Sequence, residues 1–315
     1  MDEYTQKTKI WLDNRFKKYD DDGIYFAHQP IYGFRKNHSE LGIIGRYIIT
    51  YRIMKMLSHL KFNTLLDVGG AEGYKAYVAR IIFGVDIKNS DLSEEACKRA
   101  KEIFNIDSDP VDIHNLPYED NQFDVVLCSE TLEHVTNFHK AVYELLRVAR
   151  KAVVITIPHQ TKELVENIIK NQIPHGHIHS FTPKSFDFLK ANNYTIIYKK
   201  VFNWYLCLLN SLIDGTPMKN KVKKLEKIIA FIYNPLLPVL KKIIGRKVAG
   251  FLIRIDGIIC KLIPLFLHFL IVILKNEEKL AHKPIQKVSP YRVMNIKVPY
   301  HYLSKNNKIE PLVLL

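Results

Sequence analysis

Four cysteines (Cys97, Cys128, Cys207 and Cys260) lie far apart in 315 residues, with no C-x-x-C pair among them. That spacing supplies neither a zinc site nor a disulfide framework and points to a reducing cytoplasm. A membrane-crossing helix needs about 20 consecutive apolar residues, and no such run is present. The longest approach, Leu262–Leu274, is preceded by Lys261 and contains Pro264 and His268. The opening residues Met1-Asp2-Glu3-Tyr4 lack the charged-then-apolar layout of a signal peptide. No internal repeat or low-complexity linker divides the chain.

Acidic residues are scarce in one part only. Residues 215–300 carry 17 Lys/Arg against 4 Asp/Glu, whereas residues 1–214 carry 27 of each sign. The net charge of +14 therefore belongs to a basic, apolar-rich back part joined to a neutral front part. A nucleic-acid surface should be polar and aromatic around its lysines. Here the lysines interrupt Leu/Ile/Phe runs, so no nucleic-acid partner is expected.

From Asn63 to Tyr194 strand-like and helix-like segments alternate: strands at 63–68, 85–90, around Val111, 123–129 and 152–157, with helices at 72–83, 93–103 and 138–149. Such alternation implies a parallel sheet with crossover helices. A helix from Thr182-Pro183 to about Asn192 and a strand at 194–202 follow. Tyr291–Tyr302 alternates like a late strand, which suggests that the last two strands are separated by a helical insertion.

The first strand breaks into a glycine turn, Leu65-Leu66-Asp67-Val68-Gly69-Gly70-Ala71-Glu72-Gly73. A strand, a Gly turn and a helix N-terminus form a cradle where backbone approaches a ligand and free N–H groups point at it. The next strand ends at Asp91, placed to accept hydrogen bonds from two ribose hydroxyls; the alternative is that it merely opens the helix capped by Ser93. Asp86, at the start of that strand, should point away. Asp112 could accept from an exocyclic amine of adenine while the Ile113 amide donates to a ring nitrogen. The fourth strand ends in Cys128-Ser129-Glu130-Thr131-Leu132-Glu133-His134-Val135, beside the reacting centre. A dinucleotide dehydrogenase needs G-x-G-x-x-G; these glycines read G-G-x-x-G.

Taken together, LLDVGGAEG, SDLSEEACKRAKE, DIHNLPYEDNQFDVVLCSETLEHV and AVVITIP resemble the class I S-adenosylmethionine-dependent methyltransferases. The nearest likeness is the small-molecule and lipid branch that includes ubiquinone/menaquinone-biosynthesis enzymes. The resemblance covers roughly residues 63–158 and implies a doubly wound, mostly parallel seven-stranded Rossmann-like α/β sheet. It implies that S-adenosyl-L-methionine meets Gly69, Gly70 and Gly73 with Asp67 nearby, Asp91 and Leu92 at the ribose, Asp112 and Ile113 at the adenine, and Ser129 along its length. Ala71 departs from the family, which usually has glycine there.

Candidate catalytic bases are His134 and Glu130, with the histidines of His175-Gly176-His177-Ile178-His179 as further acceptor contacts. That His-x-His-x-His segment could share one face towards a metal; without an accompanying carboxylate or cysteine in the segment, no metal is expected. Tyr32, Arg35 and His38 are candidate acceptor contacts in an N-terminal lid.

The expected organisation is an N-terminal helical cap (1–60), a cofactor-binding core (61–203), a basic amphipathic helical insertion (204–285), and a last strand with a tail (286–315). Lys219–Tyr233 places Val222, Leu225, Ile228, Ile229 and Ile232 on one helical face ringed by lysines. Basic amphipathic helices of this kind bind anionic lipid interfaces. A peripheral dock on an anionic membrane surface through residues 215–280 is expected, at the cytoplasmic face. The acceptor would be an amphiphile: a quinone precursor, another lipid or a lipid-linked sugar. A soluble methyltransferase acting on a sugar or small metabolite is the alternative, and a membrane-bound cofactor-binding protein without turnover is the reading from another class.

Overall fold

The structure, a computed structural model, describes residues 1–19, 25–31, 43–192, 194–200, 268–296 and 298, with scattered residues between 231 and 258. Tyr32, Arg35, His38 and most of the basic insertion lie outside the described residues. After helices α1 (Glu3–Phe16) and α2 (Ile43–Leu57) the chain alternates through β1 (Thr64–Val68), α3 (Tyr74–Phe83), β2 (Asp86–Asp91), α4 (Glu94–Phe104), β3 (Ser108–Pro110), β4 (Phe123–Ser129), α5 (Phe138–Val148) and β5 (Ala149–Pro158). Then come α6 (Lys162–Lys170), a 3-10 segment (Pro183–Asn192), β6 (Thr195–Lys200), β7 (His268–Leu274) and α7 (Pro290–Met294).

The seven strands form one sheet in the order β3-β2-β1-β4-β5-β7-β6. All pairs are parallel except those of β7, which runs antiparallel to both β5 and β6. The order reverses at β1/β4, and ligands in open α/β sheets bind outside the carboxyl ends of the strands at such a switch point.

Period-two alternation divides β5 and β7 between two buried layers. Ala152, Val154, Leu270, Val272 and Leu274 pack with α2, α3 and α4, and Val153, Ile155, Phe269, Ile271 and Ile273 pack with α5. Local signals set the helix ends. Ser93 caps α4 by accepting from the Ala96 amide, Asn137 caps α5 by accepting from the Lys140 amide, and Gly84 ends α3 at φ +67°.

Two expectations are corrected here. The apolar stretch ending at Leu274, read from sequence as the end of the insertion, supplies the last strand of the sheet. A strand buried on both faces shows no polar alternation, so its composition resembles that of a buried or interfacial helix. Conversely, Tyr291–Tyr302 does not begin as a strand: Ser289 accepts from the Arg292 amide, Pro290 occupies the first turn, and the short α7 buries Val293 and Met294 beside α2. The loop before it is tied down by the Ala281 and Ile285 amides, which donate to His59 and Ser58 carbonyls. The boundaries 204–285 and 286–315 therefore cut through an ordered unit.

Ile271 is fully buried on β7, between β5 and β6. Ile271→Ala is expected to lower stability by about 2–5 kcal/mol, read as a shifted urea midpoint. An unchanged midpoint would contradict a core role for this segment.

Candidate active site

The carboxyl ends of β1, β2, β3 and β4 open into one cleft. Val68, Gly69 and Ala71 line it from the first turn, Asp91 and Leu92 from the second, Val111–His114 from the third, and Glu130, Thr131, His134 and Val135 from the fourth. Four separate sequence motifs thus meet at one place.

The glycine turn is held from behind. The Gly69 and Gly70 amides both donate to the Ser90 carbonyl, at 2.8 and 3.0 Å. Gly69 has φ +70°, and a Cβ there would lie 2.3 Å from Thr131 Oγ1, so any side chain would push into the cleft wall. At Gly70 a Cβ would lie 1.9 Å from Asn89 Oδ1. Gly73 (φ +78°) begins α3 with Ala100 behind it. Ala71 adopts φ +51°, the left-handed conformation that glycine accepts without cost.

Asp91 is the junction of the site. Its Oδ2 accepts from the Ala71 amide and its Oδ1 from the Ser93 amide, both at 2.9 Å. Burial pushes its carboxyl up to about 6 against those two hydrogen bonds. Ser93 caps α4 as well, so the binding and capping readings of this stretch coexist on adjacent residues. Asp86 is exposed at the start of β2, away from the cleft. Asp112 accepts from the His114 amide and from its Nδ1–H at 2.6 Å, which holds the carboxyl below its ordinary value. Its other oxygen is left for a ligand on the cleft wall.

Several expected residues stand behind the wall instead. Asp67 is completely buried beside Lys75, and burial pushes its carboxyl up to about 6 while the ammonium opposes the rise. Ser129 pairs with Thr156 Oγ1 at 2.7 Å. Gly70, Gly73, Asp67 and Ser129 do not line the cleft; they fix the turn and the end of β4.

Glu130, at φ +58°, is bent so that its Oε2 accepts from His268 Nε2 at 2.7 Å. That pairing, acting against strong burial, holds its carboxyl low, at about 2. The histidines cluster as well. His134 lies face to face with His175 (3.7 Å between centroids) and edge to face with His177 (4.8 Å). Burial first, then repulsion from neighbouring histidines, pushes His134 and His175 below the ordinary imidazole range; burial lowers His177 as well, with Glu130 opposing the shift. His175 lines the cleft, whereas His179 turns away and donates to the Val135 carbonyl at 2.6 Å.

Helix α1 forms the roof; the sequence reading expected a helical cap over 1–60 but named none of the α1 residues that line the cleft. Thr5, Thr8, Leu12 and Phe16 line the cleft together with His28. Their spacing along one helical face was the available signal. Ser93 Oγ donates to Asp13 at 2.6 Å, Tyr4 donates to the Gly176 carbonyl at 3.2 Å, and Trp11 stacks on His175. His268 was also missed, because it read as a break in an apolar run.

Residues 66–157 match the family described as a methyltransferase domain. Over 105 residues the chain is 36% identical to norajmaline N-methyltransferase of Rauvolfia serpentina, covering 31% of this chain and 36% of that protein. The match thus spans about a third of that curated relative. Among solved structures, geranyl diphosphate C-methyltransferase from Streptomyces coelicolor A3(2), with geranyl diphosphate and S-adenosyl-L-homocysteine bound, superposes with a TM-score of 0.52 at 16% identity. The superposition covers 87% of this chain and 99% of that one. A complex between the Haloferax volcanii Trm112 methyltransferase activator and a putative methyltransferase gives 0.51 at 13% identity, covering 87% and 98%.

Residues 66–157 carry a methyltransferase domain. The domain is of the S-adenosylmethionine-dependent type. The site fits that cofactor on its own terms, with a side-chain-free turn at Gly69, a cleft-lining carboxylate ending β2 and another following β3.

Gly69→Ala is expected to weaken S-adenosylmethionine binding at least tenfold by calorimetry. Ala71→Gly should keep binding and raise stability by about 0.5–1 kcal/mol, because it relieves a left-handed alanine. Wild-type affinity in Gly69→Ala would contradict the cradle.

Proposed function

We propose that this protein transfers a methyl group from S-adenosylmethionine to an amphiphilic acceptor: a quinone precursor, another lipid or a lipid-linked sugar. The observation that carries the transfer is the convergence of Gly69, Asp91 and Asp112 on one cleft that ends at Glu130 and His134. The cofactor supplies an electrophilic methyl carbon on a sulfonium; the protein's part is alignment and exclusion of water. Asp91 accepts from the ribose hydroxyls, with Leu92 packed beside it. Asp112 accepts from the adenine amine, the Ile113 amide donates to the ring, and the turn at Gly69 gives room for the methionine end. Asp67, Gly70, Gly73 and Ser129 hold these groups from behind.

Glu130 and His134 stand at the acceptor end. Burial makes His134 a weak base and the His268 pairing does the same for Glu130, so both serve better to position an acceptor than to strip a strongly bound proton. Roofed by α1, the cleft shields the reacting centre.

The acceptor class rests on the basic apolar segment before β7. Its described residues include Phe231 (82% exposed) and Phe251 (61% exposed). Bulky apolar side chains facing solvent among lysines favour an anionic lipid interface at the cytoplasmic face of a membrane. Among the described residues no helix is long and apolar enough to cross a membrane. Deleting residues 215–280 would remove β7, so the membrane test uses substitutions. Changing Lys219, Lys221, Lys223 and Lys224 to Glu in the full chain should abolish flotation with anionic liposomes. Equal flotation would leave the soluble small-metabolite reading.

The cofactor site has its own pH signature. An ionised Asp91 accepts both ribose hydrogens, and its carboxyl titrates at about 6. Cofactor affinity should therefore be full above pH 7 and fall as protons are taken up below 6, about tenfold by pH 5. Asp91→Asn should bind weakly at every pH and lose that slope. A flat wild-type profile would contradict the assignment.

A further inference from the structure

One group of side chains beside the cleft is not used by the cofactor site. Glu133 is 1% exposed, and neither of its carboxylate oxygens has a hydrogen-bond partner. Its Oε1 faces His134 Nε2 at 3.8 Å, too far for a shared proton to bridge. His134 Nδ1 lies 3.1 Å from the Gly176 carbonyl. A carbonyl can only accept, so Nδ1 carries the proton and Nε2 presents its lone pair to Glu133. On the other side, His177 Nδ1 lies 3.0 Å from the Gln160 side-chain amide. As placed, the Gln160 amide nitrogen donates to Nδ1; turning that amide over would make Nδ1–H the donor and leave His177 Nε2 free to bind a metal. An unpartnered buried carboxylate and the His134 lone pair therefore face one another, and the ligand atoms of Glu133, His134 and His177 all lie within 4.8 Å of one another.

We propose that Glu133, His134 and His177 bind one divalent transition-metal ion. Bonds of about 2.1 Å join ligand atoms roughly 3.3–4.2 Å apart, so the trio needs only a small closure. Two imidazoles and one carboxylate suit Zn²⁺, Co²⁺, Mn²⁺ or Fe²⁺, whereas Mg²⁺ and Ca²⁺ prefer oxygen alone. The Gly176 carbonyl already orients the His134 ring as it would for a metal-bound histidine, and the Gln160 side chain would do the same for His177 once its amide is turned over. Neutral histidines are the ligating form, and burial supplies them here. Glu130, paired with His268, adds negative charge on the cleft side, while Lys75 and Arg46 oppose it. Metal binding itself does not depend on the methyl-transfer reading. If that reading holds, the open coordination positions lie near the wall made by Glu130, Thr131 and His134, where an acceptor oxygen would be held and polarised.

The test uses the full chain, stripped with chelator and titrated with Co²⁺, with visible absorption recorded and metal content measured after gel filtration. One equivalent of Co²⁺ is expected, with ligand-field bands that Zn²⁺ abolishes. His177→Ala should weaken binding at least tenfold, and Glu133→Gln likewise. His59→Ala, at the opposite end of β1, should bind as wild type. Because Glu133 is fully buried, half-buried His177 is the decisive variant, with its fold checked by circular dichroism. Wild-type protein without stoichiometric metal, or His177→Ala with wild-type affinity, would overturn the site. S-adenosylmethionine affinity of the stripped protein separates the two ideas: cofactor binding without metal binding ends only the metal proposal. Metal binding without cofactor binding ends only the methyl-transfer reading.

Discussion

Everything around the cleft depends on one buried carboxylate. Asp91 ends β2 and holds the Ala71 amide with one oxygen and the Ser93 amide with the other. The first bond fixes the turn after β1; the second fixes the start of α4, whose cap Ser93 also holds Asp13 of the roof helix. One side chain therefore joins the turn, a crossover helix and the roof. Its burial is costly, which is why its carboxyl titrates near neutrality. A group held in this state by its surroundings is tuned to gain hydrogen-bond donors from a ligand.

Further charges are buried close by. Asp67, Glu72, Lys75, Glu130 and Glu133 are all withdrawn from water, and Glu72 accepts from the Tyr25 hydroxyl and the His28 amide. Lys75 is pushed down by burial and pulled back by Asp67, Glu130 and Glu72. Such a network does little for stability compared with a hydrophobic equivalent. What it offers is a fixed electrostatic field at the end of the sheet where the chemistry is placed.

The core was legible because each strand end carries its own signal. Gly69, Asp91, Asp112 and Glu130 sit at a glycine turn, at acids after strands, and at a strand-to-loop junction, all local features. What failed was non-local. β7 reads as an apolar run because both of its faces are buried, and only pairing with β5 and β6 distinguishes it from an interfacial segment. Tyr291–Tyr302 alternates, yet the Ser289-Pro290 start outweighs alternation and makes a short helix. Thr5, Thr8 and Leu12 belong to a helix of mixed polarity, so nothing in its composition names the cleft they cover. The His175–His179 segment lacked a carboxylate in sequence; folding brings Glu133 to it from the end of β4.

The central claim is that the turn at 69–73, Asp91 and the segment at 112–113 form one cofactor site beneath α1. Amide hydrogen exchange of the full chain, with and without S-adenosylhomocysteine, addresses it most directly. Slowed exchange is predicted in residues 69–73, 91–93 and 112–114 and in α1 together. Protection absent from these four segments, or confined to another part of the chain, would contradict the account.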